Sequence, residues 1–206
     1  MWLETWLLRI LAVRNDRKYA KLTAKFSDIA EGKNHDISYL DRCGVIRVNG
    51  TGYSISRINV SVENKIIKGI SIKINVGTIF LSRGSHQNMA SVKEYNFSLE
   101  PRSSLSFDVD VVCVNADRPI PGEHNRFLGV SMVSEAVVRF IVASRDEDAI
   151  VRQVGVWTLT DHYSRTRIMK NISSKDDNGN VIYPITHQHC DRAKAILNTL
   201  KIRHSL

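Results

Sequence analysis

Between Gly50 and Cys113 four runs place apolar residues on every second position, and that period constrains the fold more than any other feature of the chain. Ile58, Val60 and Val62 alternate with Asn59 and Ser61, and Ile70, Ile72, Ile74 and Val76 alternate with Ser71, Lys73 and Asn75. Tyr95, Phe97 and Leu99 make a third run. Leu105, Phe107, Val109, Val111 and Cys113 make the fourth and longest, with Ser106, Asp108 and Asp110 facing the other way. Successive side chains of a strand point to opposite faces, so these runs read as strands with one face buried and one wet, the antiparallel pattern. Pro101, followed by Ser103 and Ser104, turns the chain between the third and fourth runs, because proline presets φ and serine bonds the nearby backbone. Four half-buried strands must cover one another. The expected fold is therefore α+β, with an antiparallel β-sandwich core over residues 50–122.

The flanks follow a helical period. Trp2, Leu3, Trp6, Leu7, Ile10 and Leu11 lie on one face of a short helix, and Tyr19, Leu22, Phe26 and Ile29 suggest a second that stops at Gly32, so residues 1–49 are expected to be a helical N-terminal segment with one short strand near Val45–Val48. Pro119 and Pro121 interrupt regular structure, because proline cannot donate to a ladder. Beyond them, Val133, Val137, Phe140 and Ile141 predict a helix capped by Ser131 or Ser134. Asp146, Glu147 and Asp148 open another, whose apolar stripe is Ile150, Val154 and Trp157. Asn178-Gly179 is a hairpin signal. A last helix running from His187 or Asp191 to Ile202 is expected to bury Ala193, Ile196, Leu197 and Leu200. Residues 123–206 thus read as a helical section packed on the core.

Several phrases add a resemblance. They are Asn75-Val-Gly-Thr-Ile-Phe80, Gln87-Asn-Met89, the turn at Pro101, Cys113-Val-Asn115 through Pro119 and Pro121, Val151-Arg-Gln153, and Val156-Trp-Thr-Leu-Thr-Asp161. Together, over roughly residues 55–162, the chain resembles uncharacterised domains in which an immunoglobulin-like or fibronectin-like sandwich precedes a helical hairpin. The resemblance implies a fold and names no activity.

Charge and cysteine content bound the rest. The formal net charge of +8 gathers at the ends: Arg9, Arg14, Arg17, Lys18, Lys21 and Lys25 stand against Glu4 and Asp16, and Arg192, Lys194, Lys201 and Arg203 against Asp191. Trp2, Trp6, Tyr19 and Phe26 are interleaved with the N-terminal cations, a mixture that would pair phosphate neutralisation with base stacking. One alternative function is therefore nucleic-acid binding through Trp6, Arg14, Arg17, Lys18, Lys21, Lys25, Arg192, Lys194, Lys201 and Arg203. The plain alternative is that the aromatics cover the core and the charges solvate a helix face. Cys43, Cys113 and Cys190 are odd in number and widely spaced, which points to free thiols in a reducing, cytoplasmic setting. Met1–Val13 is too short to span a bilayer and is broken by Glu4 and Arg9.

No catalytic constellation stands out. His187, His189 and Cys190, with Asp191, are the densest set of metal-ligating types, and His162 or His204 would have to complete a tetrahedral site. A cysteine hydrolase would need Cys113 or Cys190 beside a histidine such as His162, oriented by a third group. Cys113, however, continues the buried phase of its strand, which favours packing over reactivity. Asp108 and Asp110 share a wet strand face and read as solubilising charge, and Gly50 and Gly52 lack the lysine and helix of a phosphate loop. The leading expectation is a non-enzymatic protein-interaction domain without a cofactor, and a metal-dependent or cysteine hydrolase is the second alternative. Binding usually resides in loops on a rigid scaffold, and the candidate contacts are Arg83, His86, Gln87, Asn88, Arg118, Glu123 and His124.

Overall fold

The structure is a computed structural model that describes residues 33–171, 173–175, 181–182 and 184–206. The two helices expected within the first 32 residues lie outside the described part.

Strand β1 (Asn34–Asp36) runs into helix α1 (Ile37–Arg42), where the Asp36 carboxylate caps the helix by accepting from the Ser38 and Tyr39 amides. Strands β2 (Ile46–Gly52), β3 (Arg57–Asn64), β4 (Ile70–Ile74), β5 (Thr78–Ser82), β6 (Met89–Ser91), β7 (Tyr95–Leu99), β8 (Ser104–Cys113) and β9 (Arg126–Met132) follow. Helices α2 (Glu135–Ala143), α3 (Ala149–Thr160) and α4 (Arg165–Asn171), the short strands β10 (Ser174–Lys175) and β11 (Val181–Ile182), and helix α5 (His187–Thr199) complete the chain. The protein is α+β, as the change of period predicts. Among the described residues no helix is long and apolar enough to cross a membrane.

The sandwich expectation is corrected. Strands β2-β3-β8-β6-β5-β9 form a closed six-stranded barrel, and β1-β4-β7 form a separate three-stranded sheet. Every pairing among the described strands is antiparallel except β1 with β4. Closure satisfies the backbone groups that a sandwich would leave on its edges. It depends on strands that carry no alternation. All three residues of β6 are buried, and β9 bends through Gly129 at φ +79°. The β5–β9 register shifts between Phe80 and Ser82, a bulge of the kind that curves a sheet. Because β2 begins before residue 50 and β9 lies beyond residue 122, the barrel also draws strands from either side of the 50–122 stretch.

Strand β3 buries Ile58, Val60 and Val62 as its alternation predicts. Strand β8 does so only in its second half: Leu105 is exposed, and Phe107 instead packs against Tyr95 and Phe97, with ring centroids 6.0 and 5.0 Å apart.

Ser134 precedes α2, and Asp148 caps α3 by accepting from the Ile150 amide at 2.7 Å. Helix α3 is the hub of the helical part, touching α2, α5 and β8, and it buries seven residues from Val151 to Thr158. Its Gly155 is required by packing, since a Cβ there would sit 1.9 Å from Cζ of the buried Phe140 ring. Ser174 and Lys175 pair with Ile182 and Val181 across the Asn178-Gly179 signal. The turn itself is outside the described residues.

Candidate functional site

Where the C-terminal end of β8 meets α3, the structure contains a cavity of about 400 Å³. Ile55 and Ser56 from the β2–β3 turn, Val92 and Lys93 after β6, and Asp110, Val111 and Val112 of β8 form one side. Ala149, Ile150, Arg152, Gln153 and Trp157 of α3, with Arg145, Pro184 and Ile185, form the other. Most of this lining is aliphatic or aromatic, and the charged groups are few, which is how small-ligand sites are usually composed.

Two buried residues join the walls. The Cys113 amide donates to Oε1 of Gln153 at 3.0 Å, and Nε2 of Gln153 donates to the Cys113 carbonyl at 2.7 Å. The glutamine carboxamide thus takes the place of a neighbouring strand for one residue of β8. Gln153 is 6% exposed and Cys113 fully buried. The Cys113 thiol is directed to the Ile55 carbonyl at 3.7 Å. Burial pushes its pKa up to about 12, because a thiolate here would lose its water without gaining a cation.

Four residues along the same helical face stands Trp157, 2% exposed, whose indole Nε1 has no hydrogen-bond partner. Arg152 places Nη2 on the carbonyls of Ser144 and Arg145, at 3.0 and 2.8 Å, and so ties down the α2–α3 turn. Its Nε is buried and unpartnered. At the other wall Asp110 binds Lys93 at 2.6 Å and faces Arg57 at 3.9 Å, and its amide donates to the Tyr95 hydroxyl. The hydrogen bond to Asp110 raises the Lys93 pKa. Lys93, Arg145 and Arg152 outnumber the one acid of the lining, Asp110.

The loops expected to bind are brought together, chiefly to hold each other. Gln87 donates Nε2 to the Arg118 carbonyl at 2.7 Å, and its amide reaches the Pro119 carbonyl at 2.9 Å. Asn88 accepts from the Ser82 amide through Oδ1, and its own amide donates to Oδ1 of Asn115. Gln87 is buried, His86 and Asn88 are half-buried, and Arg83, Arg118, Glu123 and His124 are exposed.

The histidine–cysteine cluster is divided among unrelated tasks. His189 accepts from the Thr186 amide through Nδ1, while Thr186 Oγ1 accepts from the His189 amide, a reciprocal cap of α5. His187 is exposed and Cys190 is buried in the core, its thiol pKa raised by that burial. Among the described residues no three His, Cys, Asp or Glu side chains gather closely enough to hold a metal ion. His162 is exposed, at a φ of +55°.

Of the ten residues of the nucleic-acid alternative, Trp6, Arg14, Arg17, Lys18, Lys21 and Lys25 lie outside the described part. Arg192 is engaged by Glu147 at 2.9 and 2.5 Å, and Lys194, Lys201 and Arg203 are exposed. Gln153 is the residue that reading for catalytic motifs misses. Its signal was an amide inside the apolar run Ile150-Val151-Arg152-Gln153-Val154-Gly155-Val156-Trp157. No protein-family model, curated protein or solved structure matches this chain, so the likeness to sandwich-and-hairpin domains rests on its sequence phrases alone.

Proposed function

We propose that this protein is an interaction domain that fastens its partner covalently, through an internal thioester formed between Cys113 and Gln153. One observation carries the reading. Both heteroatoms of the Gln153 carboxamide are held by the peptide group of the residue that bears the thiol.

The chemistry follows from that grip. Addition of the Cys113 sulfur to Cδ of Gln153 puts negative charge on Oε1, where the Cys113 amide already donates. The S–Cδ bond forms, the Cδ–Nε2 bond breaks, the thiol proton passes to Nε2, and ammonia leaves. The raised thiol pKa means that this proton moves with the transfer and not before it. The thioester is then open to an amine from a partner. The amine attacks Cδ, sulfur departs as the thiol, and an amide bond joins partner to Gln153. Each chain acts once, so the domain binds rather than turns over. The burial of Cys113 and Gln153 supports the reading by keeping bulk water, which would hydrolyse the acyl bond, from it.

Intact mass measurement tests this directly. The purified chain is expected to be lighter than its sequence by one ammonia, and exposure to methylamine is expected to add one methylamine, as a methylamide on Gln153, which leaves the chain one methylene heavier than its sequence. Cys113→Ala and Gln153→Ala chains are expected at their full sequence masses. A wild-type chain at full sequence mass overturns the thioester and leaves Gln153 as a docking residue for α3.

A further inference from the structure

The cavity holds more polar potential than packing alone accounts for. Trp157 and Arg152 line it, and each has a buried donor, Nε1 and Nε, that the protein does not satisfy. An unpaired buried donor is costly, so a binding partner that supplies an acceptor gains what the free protein lacks. The remaining lining is mainly Ile55, Val92, Val111, Ile150 and Ile185. The charge balance around the lining selects the kind of acceptor: Lys93 is paired with Asp110 and Arg145 with Asp146, and Arg152, whose Nη2 rests on carbonyl oxygens, leaves one positive charge over.

We infer that the cavity between β8 and α3 is a binding site for an apolar ligand bearing a carboxylate. The apolar body lies against the valine and isoleucine wall, and the carboxylate meets the cationic side near Lys93 and Arg152 and takes up unsatisfied donors. This site is noncovalent. It goes beyond the acyl bond proposed above and does not depend on it, because a chain without the Cys113 sulfur keeps the same lining. The carboxylate comes either on a free aliphatic acid or at the C-terminus of an apolar peptide.

Calorimetric titration of the wild-type and Cys113→Ser chains, the second unable to form the thioester, separates the two ideas. The probes are decanoate, decanol and decylamine, with trileucine as the free acid and as the C-terminal amide. Decanoate is expected to bind both chains about tenfold more tightly than decanol, a difference of about 1.4 kcal/mol, and decylamine is expected to bind more weakly than either. Preference for trileucine acid over decanoate would identify a peptide terminus as the source, and the reverse a free acid. Trp157→Phe keeps an aromatic ring but removes the indole donor together with some buried volume, which acid and alcohol probes feel alike, and Lys93→Gln removes an exposed charge at the rim. Each is expected to narrow the acid-over-alcohol ratio about threefold. Equal affinity for decanoate and decanol, equal or tighter binding of decylamine, or no binding of any probe overturns the inference. The thioester is judged separately, by mass.

Discussion

Two regions of this protein each bury a glutamine, and they use it differently. Between the 83–88 loop and the 115–125 loop, Gln87 donates to the Arg118 carbonyl while its Oε1 has no partner. At the β8–α3 junction, both heteroatoms of Gln153 are engaged by the peptide group of Cys113, and the unsatisfied atoms belong to the neighbouring Trp157 and Arg152. The first region is two loops stitched into a connection, with its charged side chains turned outward. The second is rigid on both sides, one a barrel strand and the other a capped helix, and it surrounds a cavity. Satisfied groups hold a structure together, and unsatisfied donors beside open volume are what a ligand can use.

The largest expected effect comes from Gln153→Ala. In the Cys113→Ala background, where no thioester forms and the carboxamide stays intact, it leaves both the amide and the carbonyl of residue 113 buried without a partner, and at roughly 1–3 kcal/mol each the chain is expected to lose about 4 kcal/mol of stability by denaturant titration. A loss under about 1 kcal/mol would mean that water or a neighbour replaces the carboxamide, and the contrast between the regions would weaken. Gly155→Ala comes next, because its new methyl meets the Phe140 ring. About 2–3 kcal/mol is expected from overpacking, with α3 and the thioester chemistry displaced together.

Alkaline unfolding sharpens the same comparison. A free Cys113 has its pKa raised from 9.0 to about 12 in the folded chain. Its contribution to stability is therefore complete below the unfolded value and is lost as the pH rises from about 9 toward 12, because the unfolded chain releases that proton first. Denaturation midpoints near pH 8 and pH 11 are expected to separate a chain with free Cys113 from Cys113→Ala, which lacks this loss. Thioester-bonded chain lacks it as well, having no thiol proton to release.

At the loops, Gln87→Ala is expected to cost about 1 kcal/mol, through the orphaned Arg118 carbonyl, and to leave the intact-mass signature of Cys113 and Gln153 unchanged. Glu123→Ala and His124→Ala, both on exposed side chains, are expected within about 0.5 kcal/mol of wild type. A loss of partner capture in these last variants would return binding to the loops and reverse the contrast.

Much of the frame was legible from local pattern. The alternation of Ile58, Val60 and Val62 gives β3 and that of Ile70, Ile72 and Ile74 gives β4; of Ser131 and Ser134 it is Ser134 that precedes α2, and of the three acids from Asp146 it is the last, Asp148, that caps α3. Strands β6 and β9 were not legible, because Met89, Ala90 and Ser91 are all buried and Gly129 breaks the rhythm of β9, so neither strand shows a period of two. Helix α4 carries too short a run to display an apolar face. At the site, Trp157 was readable as a buried stripe residue and Cys113 as a buried strand residue. Their neighbour Gln153 belongs to an element that begins 36 positions after β8 ends, and no local rule connects the two.

The sequence by itself determined which segments are strands with a wet face, where the chain turns, where two of the helices begin, and that Cys113 is buried. Each of these follows from a residue's own preferences and its nearest neighbours along the chain. Tertiary structure decided that the strands close into a barrel, that the predicted binding loops hold one another, and that a helical glutamine grips the peptide of a buried cysteine beside a cationic cavity. Those features depend on hydrogen-bond partners and volumes contributed by residues far apart in the chain, and such partners are fixed only when every element is packed at once.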